Sequence, residues 1–408
     1  LVDNLKPYVH AREVLTTRSA KEGCSLILAG HARSAETQLL VESGWAHDLL
    51  ASESTLETRR PAMTAVGAFG LQVARDLQGG TTSVTGPAFQ AAKRALDRAQ
   101  PVLVQVPRKG YAPILACGNC RAPARCRHCN GPLGLAADRR GGDTHHASLP
   151  TCRWCGRIES KFRCVECGSP RLRAIVLGSE RTAEELGRAF PSTRIVVSGG
   201  NKVVDEVADE AALVIATPGA EPAVAHGGHY GAALLLDAGT LLNRQDLRAT
   251  EEALSKWASA ATLVCSHNKG GEVVIAADGE LPVIQSLLNW DMVGAARREL
   301  AGRREVRFPP AVHMAAVDGA DASLDHFMSI AELPENVEVL GPVPLPPGLS
   351  LPGEYDEQRF GPPQRVLIRT PLGPRAQLGN ALRKANAARS ARKDELPLRI
   401  QVDPIHIG

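Results

Sequence analysis

The chain has 408 residues, 47 Lys+Arg against 44 Asp+Glu for a formal net charge of +3, and only 4% aromatic side chains. That length predicts two to four domains, the near balance of charge excludes a bulk polycation, and the low aromatic content leaves few stacking platforms for bases, so any nucleic-acid affinity must come from local patches. No apolar run approaches the roughly 20 residues that span a bilayer and no signal-peptide pattern opens the chain, so a cytoplasmic protein with no membrane partner is expected.

The chain opens on Leu1, and LVDNLKPYVHARE reads like the middle of a domain, so a fragment or a truncated gene model is expected. From Ser25 the run SLILAG predicts a short strand, and AETQLLVESG after it has helical spacing. A helix is expected from about Ala88 to Ala99, followed past Pro101 by the alternating strand VLVQV. These α/β units suit a parallel sheet. Composition changes at Cys117: through Cys167 the chain is rich in Cys, Arg, Gly and His and lacks hydrophobic periodicity, so this segment is not expected to bury a core by itself. After it RAIVLG, RIVVSG, AALVIATPG and AALLLDAG read as strands and TAEELGRAF as a helix, a second α/β layer around the insert. Asp246 to Ala261 reads as a helix, and EVVIAA closes this domain. From about Arg303 the pattern predicts an α+β domain: LPENVEVLG, the Pro-rich stretch GPVPLPPGLSLPGEYDEQRFGPP as a surface loop, the strand RVLIRT, a helix from Pro374 to Arg392, and the strand LRIQVDP.

Four C-x2-C pairs occur in order: Cys117/Cys120, Cys126/Cys129, Cys152/Cys155 and Cys164/Cys167. Zinc favours four thiolates in tetrahedral geometry, and each pair can grip one face of an ion, so eight ligands predict two closed structural sites. Disulfides, which a cytosolic context argues against, and iron–sulfur clusters are the competing readings. His128, His145 and His146 read as solvated loop histidines, and Cys24 and Cys265 as buried structural thiols. Arg121, Arg125, Arg127, Arg139, Arg140, Arg153, Arg157 and Arg163 interleave with the ligands. They fit a display of guanidinium groups to phosphate and a solvated basic surface equally well.

With those pairs in place, the arrangement resembles the PriA family, superfamily 2 helicases that reload the replisome at stalled forks. KPYVHAREV resembles the family's arginine-bearing segment after its DExH box, LILAGHARSAET sits where the family has a motif like LGSATPSLES, and PRKGYAPILACGNC is similar to NRRGYAP followed by C-x2-C. VLGSERTAEELGRAFP resembles the G-T-E-x-x-E-E-L helix, LVIATPGAEPAVAHGGHYGAALLLDAG a distorted IGTQMxxKGHDFPxVxLV motif, and RQDLRATEEA the D-F-R-A-x-E-R helix. FPP at Phe308 to Pro310, GPVP at Gly341 to Pro344 and VDPI at Val402 to Ile405 resemble the family's C-terminal domain.

The resemblance implies an α/β fold: RecA-like helicase lobes with an inserted Cys-rich two-zinc module and a small α+β C-terminal domain. It divides the chain into the C-terminal part of lobe one (1–85), the start of lobe two (86–116), the inserted zinc-binding module (117–168), the remainder of lobe two (169–300) and the C-terminal domain (301–408). It also implies an interleaved pairing, with Cys117, Cys120, Cys164 and Cys167 on one zinc and Cys126, Cys129, Cys152 and Cys155 on the other.

The motor is where the chain departs from the family. It contains no G-x-x-x-x-G-K-[ST] phosphate loop, only Asp3 and Asn4 stand where the DExH acids belong, and ATP is therefore a doubtful cofactor. Where the family has Q-V-x-G-R-A-G-R, KWASAATLVCSHNKGGEVV contains no arginine; Lys256 and Lys269 are poor substitutes because an ammonium lacks the bidentate plane of a guanidinium. Ala220 to Gly228 has lost the Lys-Gly-His-Asp core, keeping Gly227 and a choice of His226 or His229. Asp209 and Glu210 begin a DEAx-like string, but they precede a strand instead of following one and read as a solvated loop. Arg12, placed by resemblance near the cleft between lobes, fits a surface ion pair equally well. The expectation is a nucleoid-associated, non-enzymatic scaffold that binds forked or single-stranded DNA and recruits primosome and replisome proteins. The alternatives are an active 3'-5' helicase whose ATP-binding half lies outside this chain, and a zinc-ribbon interaction protein with no DNA role.

Overall fold

The computed structural model describes residues 10–66, 73–75, 82–84, 86–106, 114–119, 124–127, 133–135, 149–152, 157–175, 186–236, 238–242, 244, 246–345, 349–373, 376–392, 396–404 and 407. Apolar runs without polar alternation, such as VLVQ, ALVIA and AALL, form strands only where both faces are covered. They do so here in a six-stranded sheet ordered Ala62–Val66, Glu272–Ala276, Ala232–Leu235, Val102–Gln105, Ala212–Ala216, Arg194–Ser198, with every neighbour parallel. Alternate side chains feed opposite cores. Leu103, Val214, Ala233, Leu235, Val273 and Ile275 face Trp257 and the helix Ala249–Thr262, whereas Val102, Val104, Leu213, Ile215, Leu234 and Val274 face the helix Pro87–Asp97. The latter buries Ala88, Ala91, Ala92 and Ala95, a stripe at i, i+3, i+4 and i+7 whose small side chains let the helix lie close to the sheet.

Several expectations change. SLILAG forms no strand: residues 23–30 are irregular and Ile27 is 82% exposed. An apolar run becomes a strand only beside another that satisfies its backbone, and among the described residues none pairs with it. Cys24, in the same stretch, is exposed and not the buried thiol expected, while Cys265 is buried as read. Leu172–Ile175, which takes in the first three residues of RAIVLG, pairs antiparallel with Ile114–Cys117 at the base of the cysteine segment and does not join the parallel sheet; the rest of RAIVLG lies outside the described residues. The strand Ala62–Val66 is an edge of that sheet, paired with Glu272–Ala276. The helix Met292–Val306 crosses residue 300.

The C-terminal region is an antiparallel sheet ordered Glu338–Pro344, Gln364–Pro371, Val312–Gly319, Leu398–Val402, with the helices Asp321–Ile330 and Ala376–Ala391 packed on it through Leu324, Phe327, Leu378 and Leu382. Its central strand, VHMAAVDG, escaped the sequence reading, and GPVP lies in the strand Glu338–Pro344 instead of the loop. In its core the Arg365 guanidinium grips Asp318 with both arms, Nε to Oδ1 at 2.7 Å and Nη2 to Oδ2 at 3.0 Å, and donates to the Ile407 carbonyl at 3.2 Å. Both side chains are at most 1% exposed. Removing one partner strands the other charge away from water, so Arg365→Ala is expected to cost about 3–5 kcal/mol in urea unfolding, and Arg365→Ala with Asp318→Ala appreciably less than the sum of the singles.

Candidate metal centre

Two short antiparallel strand pairs shape the cysteine segment. Ile114–Cys117 pairs with Leu172–Ile175, and Leu133–Leu135 with Pro150–Cys152. Between them lies a small apolar cluster of Leu115, Cys117, Ala124, Cys126, Leu133, Cys152, Phe162 and Cys164, half of it thiol. The segment does bury a cluster, but one too small and too sulfur-rich to hold four chain passes together by itself.

The first pair carries Cys117 to the loop bearing Cys164 and Cys167, and ligand atoms of all three lie within 4.8 Å of one another. Cys117 Sγ and Cys167 Sγ are 3.6 Å apart. Thiolates about 2.3 Å from a tetrahedral ion stand roughly 3.8 Å from each other, whereas a disulfide would need about 2.05 Å, so the spacing fits one closed metal site. The turn after Cys164 is shaped for this: Gly168 N–H donates to the Cys164 carbonyl at 2.9 Å, Cys164 N–H to the Ser169 carbonyl at 3.0 Å, and Gly168 adopts φ +70°. Cys126 and Cys152 are buried in the same cluster. Cys120, Cys129 and Cys155 lie outside the described residues, as do His128, His145, His146, Arg121, Arg139, Arg140 and Arg153. Arg127, exposed, pairs with Glu159 at 2.5 Å and Arg125 is half-buried; Arg157, Arg163, Lys161 and Arg171 are exposed.

A second constellation was not foreseen. Glu36, in the first turn of the helix Ala35–Glu42, accepts from Arg248 at 2.5 Å and faces Arg12 and Arg303 at 3.6 Å each. Arg303, 2% exposed, also pairs with Glu251 and with Glu299 at 2.9 Å and donates to the Pro309 carbonyl at 3.1 Å. Glu251 in turn accepts from Ala35 N–H at 2.6 Å. Four of the segments that carry the resemblance thus meet at one buried charge cluster, through Arg12, Glu36, Arg248 with Glu251, and Pro309. Arg12 belongs to it and also lines a large cleft beside the irregular residues 23–30. His10 caps the first helix, Ala11–Glu22, by accepting from Arg12 N–H at 3.0 Å, and burial together with the Arg12 charge lowers it to about 4, which keeps the accepting nitrogen unprotonated.

The stretch that stands for the family's arginine motif is a tight turn. The helix Ala249–Thr262 ends, His267–Lys269 makes one helical turn, Gly270 takes φ +81°, and Gly271 packs so closely that a Cβ would lie 1.7 Å from the Cys265 carbonyl oxygen. Lys269 is exposed and Lys256 half-buried. His226 sits in the left-handed region at φ +55° beside Gly227. Asp209 and Glu210 are exposed, with Glu210 paired to Arg194 at 2.7 Å, as the solvated reading required.

The probable replication restart protein PriA of Mycobacterium leprae is 46% identical over 408 residues, all of this chain and 61% of the relative. The chain belongs to the PriA family. The corresponding protein of Mycobacterium tuberculosis strain H37Rv is 46% identical over 415 residues, 100% of this chain and 62% of that one, and the replication restart protein PriA of Haemophilus influenzae is 24% identical over 420 residues, 97% of this chain and 53% of that one. A family model described as the primosomal protein N C-terminal domain matches residues 304–405, which cover the antiparallel sheet and its helices. The chain spans about three fifths of the length of its mycobacterial PriA relatives. Among the described residues no helix is long and apolar enough to cross a membrane.

The charge cluster carries a pH signature. Burial opposes ionisation of Glu36, but Arg248, Arg12 and Arg303 outweigh it and hold the carboxyl at about 2; burial, aided by the Glu36 charge and opposed by Arg303, lifts Glu251 to about 7. A raised carboxylate contributes stability that is complete below its ordinary value of 4.5 and lost as pH rises through about 7. Glu251→Gln, an uncharged isostere, is therefore expected to flatten the decline of the thermal midpoint between about pH 5 and pH 8. An unchanged slope would assign the dependence to other groups.

Proposed function

We propose that this PriA-family chain is a zinc-stabilised scaffold that binds forked or single-stranded DNA, recruits primosome and replisome proteins, and does not unwind. In this reading two ions sit in closed four-thiolate sites, Cys117, Cys120, Cys164 and Cys167 holding one and Cys126, Cys129, Cys152 and Cys155 the other. Closed sites leave no open coordination position, so the metal fixes a platform and performs no chemistry. The parallel sheet serves as a RecA-like lobe, and the chain works in the cytoplasm at the nucleoid.

The observation that carries the absence of a motor is the arginine-free turn between the helix Ala249–Thr262 and the strand Glu272–Ala276. Stabilising a transferring phosphate calls for a planar bidentate cation, and this turn offers Lys269, a point charge, on a backbone closed by the Gly271–Cys265 contact. Support for DNA as a ligand comes from Arg157, Lys161, Arg163 and Arg171, exposed cations on the cysteine module that can be held rigid by metal.

The zinc-loaded protein is expected to bind a fork at low salt without DNA-stimulated ATP hydrolysis or unwinding, tested beside an active helicase of the same family. Turnover near the control overturns the scaffold reading and points to a relocated arginine; no binding at low salt favours a zinc-ribbon interaction protein. Replacing Arg157, Lys161 and Arg171 together by Ala is expected to reduce the salt slope of fork binding by about 3, roughly one unit per lost phosphate contact.

A further inference from the structure

The geometry points to Asn119 as a positioning residue of the first thiolate set, a role that rests on the zinc reading above. Any residue at that position donates its backbone N–H to the sulfur two places back, and Asn119 N does so to Cys117 Sγ at 3.3 Å. The side chain adds something sequence-specific: Asn119 Nδ2 reaches Cys167 Sγ at 3.7 Å. One residue thereby donates to sulfurs of two knuckles 50 positions apart, whose own separation is 3.6 Å. The knuckle is clamped from behind as well. Gly118 N–H donates to the Arg171 carbonyl at 2.8 Å, and a Cβ at Gly118 would lie 2.9 Å from the Arg171 Cβ, so a side chain there would push the turn off the strand pair.

Four thiolates around a divalent ion carry a net charge of −2, and each N–H···S bond draws electron density off its sulfur, weakening proton and electrophile attack on it. Asn suits the position because its short amide reaches across the knuckle. Asp, the isostere, replaces the donor with a carboxylate facing an anionic sulfur, and Ala removes the donor with little change to the turn. Groups at this remove from a metal are worth about 10- to 100-fold in affinity.

The test is zinc release from the full chain to a chromogenic chelator, for the parent, Asn119→Ala and Asn119→Asp, after total zinc has been measured. The second site is the internal control: the parent releases two equivalents slowly, whereas each variant is expected to release one equivalent about 10-fold faster or more, Asp exceeding Ala, with the other unchanged. In the cobalt-substituted proteins the sulfur-to-metal charge-transfer band is expected to move to lower energy in Asn119→Ala, because a sulfur that has lost its donor gives up electrons more easily; a purely structural role would not shift it. Release rates and spectra equal to the parent overturn the assignment while leaving the zinc reading intact. A parent that holds no zinc overturns both.

Discussion

A guanidinium that is 2% exposed must be matched by carboxylates and carbonyls, and Arg303 meets this condition only by drawing distant parts of the chain together. Its partners come from the helix Ala35–Glu42 through Glu36, from the helix Ala249–Thr262 through Glu251, from its own helix through Glu299, and from the Pro309 carbonyl at the threshold of the C-terminal sheet. The N-terminal helices, the parallel-sheet layer and the C-terminal domain therefore share one desolvated node. Such a node specifies an arrangement more than it stabilises one, because the desolvation cost consumes much of the Coulombic gain. Its two central carboxylates answer the same environment in opposite directions. Glu36, facing three guanidiniums, stays ionised to about 2, whereas Glu251, more dependent on a shared one, holds its proton to about 7.

The cysteine module follows a different logic. Half its apolar cluster is sulfur, so the same atoms that line the core are the ones that would ligate metal, and core and site cannot form independently. Placing Leu172–Ile175 against Ile114–Cys117 turns a long insertion into a loop closed at its base, which explains how a parallel sheet tolerates it: the strands before and after are not displaced by what lies between. Arg157, Lys161, Arg163 and Arg171 are exposed on this module.

Membership of the PriA family sits beside a turn, between the helix Ala249–Thr262 and the strand Glu272–Ala276, whose residues include no arginine. Family and mechanism are separate claims, since a fold hosts a site but does not supply its side chains. The Gly271–Cys265 approach makes the point at atomic scale: the backbone there is committed to a tight closure, and a longer side chain at Gly271 would force the turn apart.

The sequence by itself determined whatever is local. Strands such as Val102–Gln105 and Ala212–Ala216 were visible as short apolar runs ending near a Pro, the alanine stripe of the helix Pro87–Asp97 as a 3.6-residue period, and the four C-x2-C pairs as a repeated spacing. What only the tertiary structure decided was partnership. SLILAG has the composition of a strand yet has no paired neighbour among the described residues; Leu172–Ile175 has the same look and pairs with Ile114–Cys117; VHMAAVDG went unnoticed because His313, Asp318 and two alanines of low strand propensity break up its apolar run. The meeting of Glu36, Arg248, Glu251 and Arg303 was invisible for the same reason. Charge pairing depends on distance in space, and nothing in residue spacing carries it across more than two hundred positions.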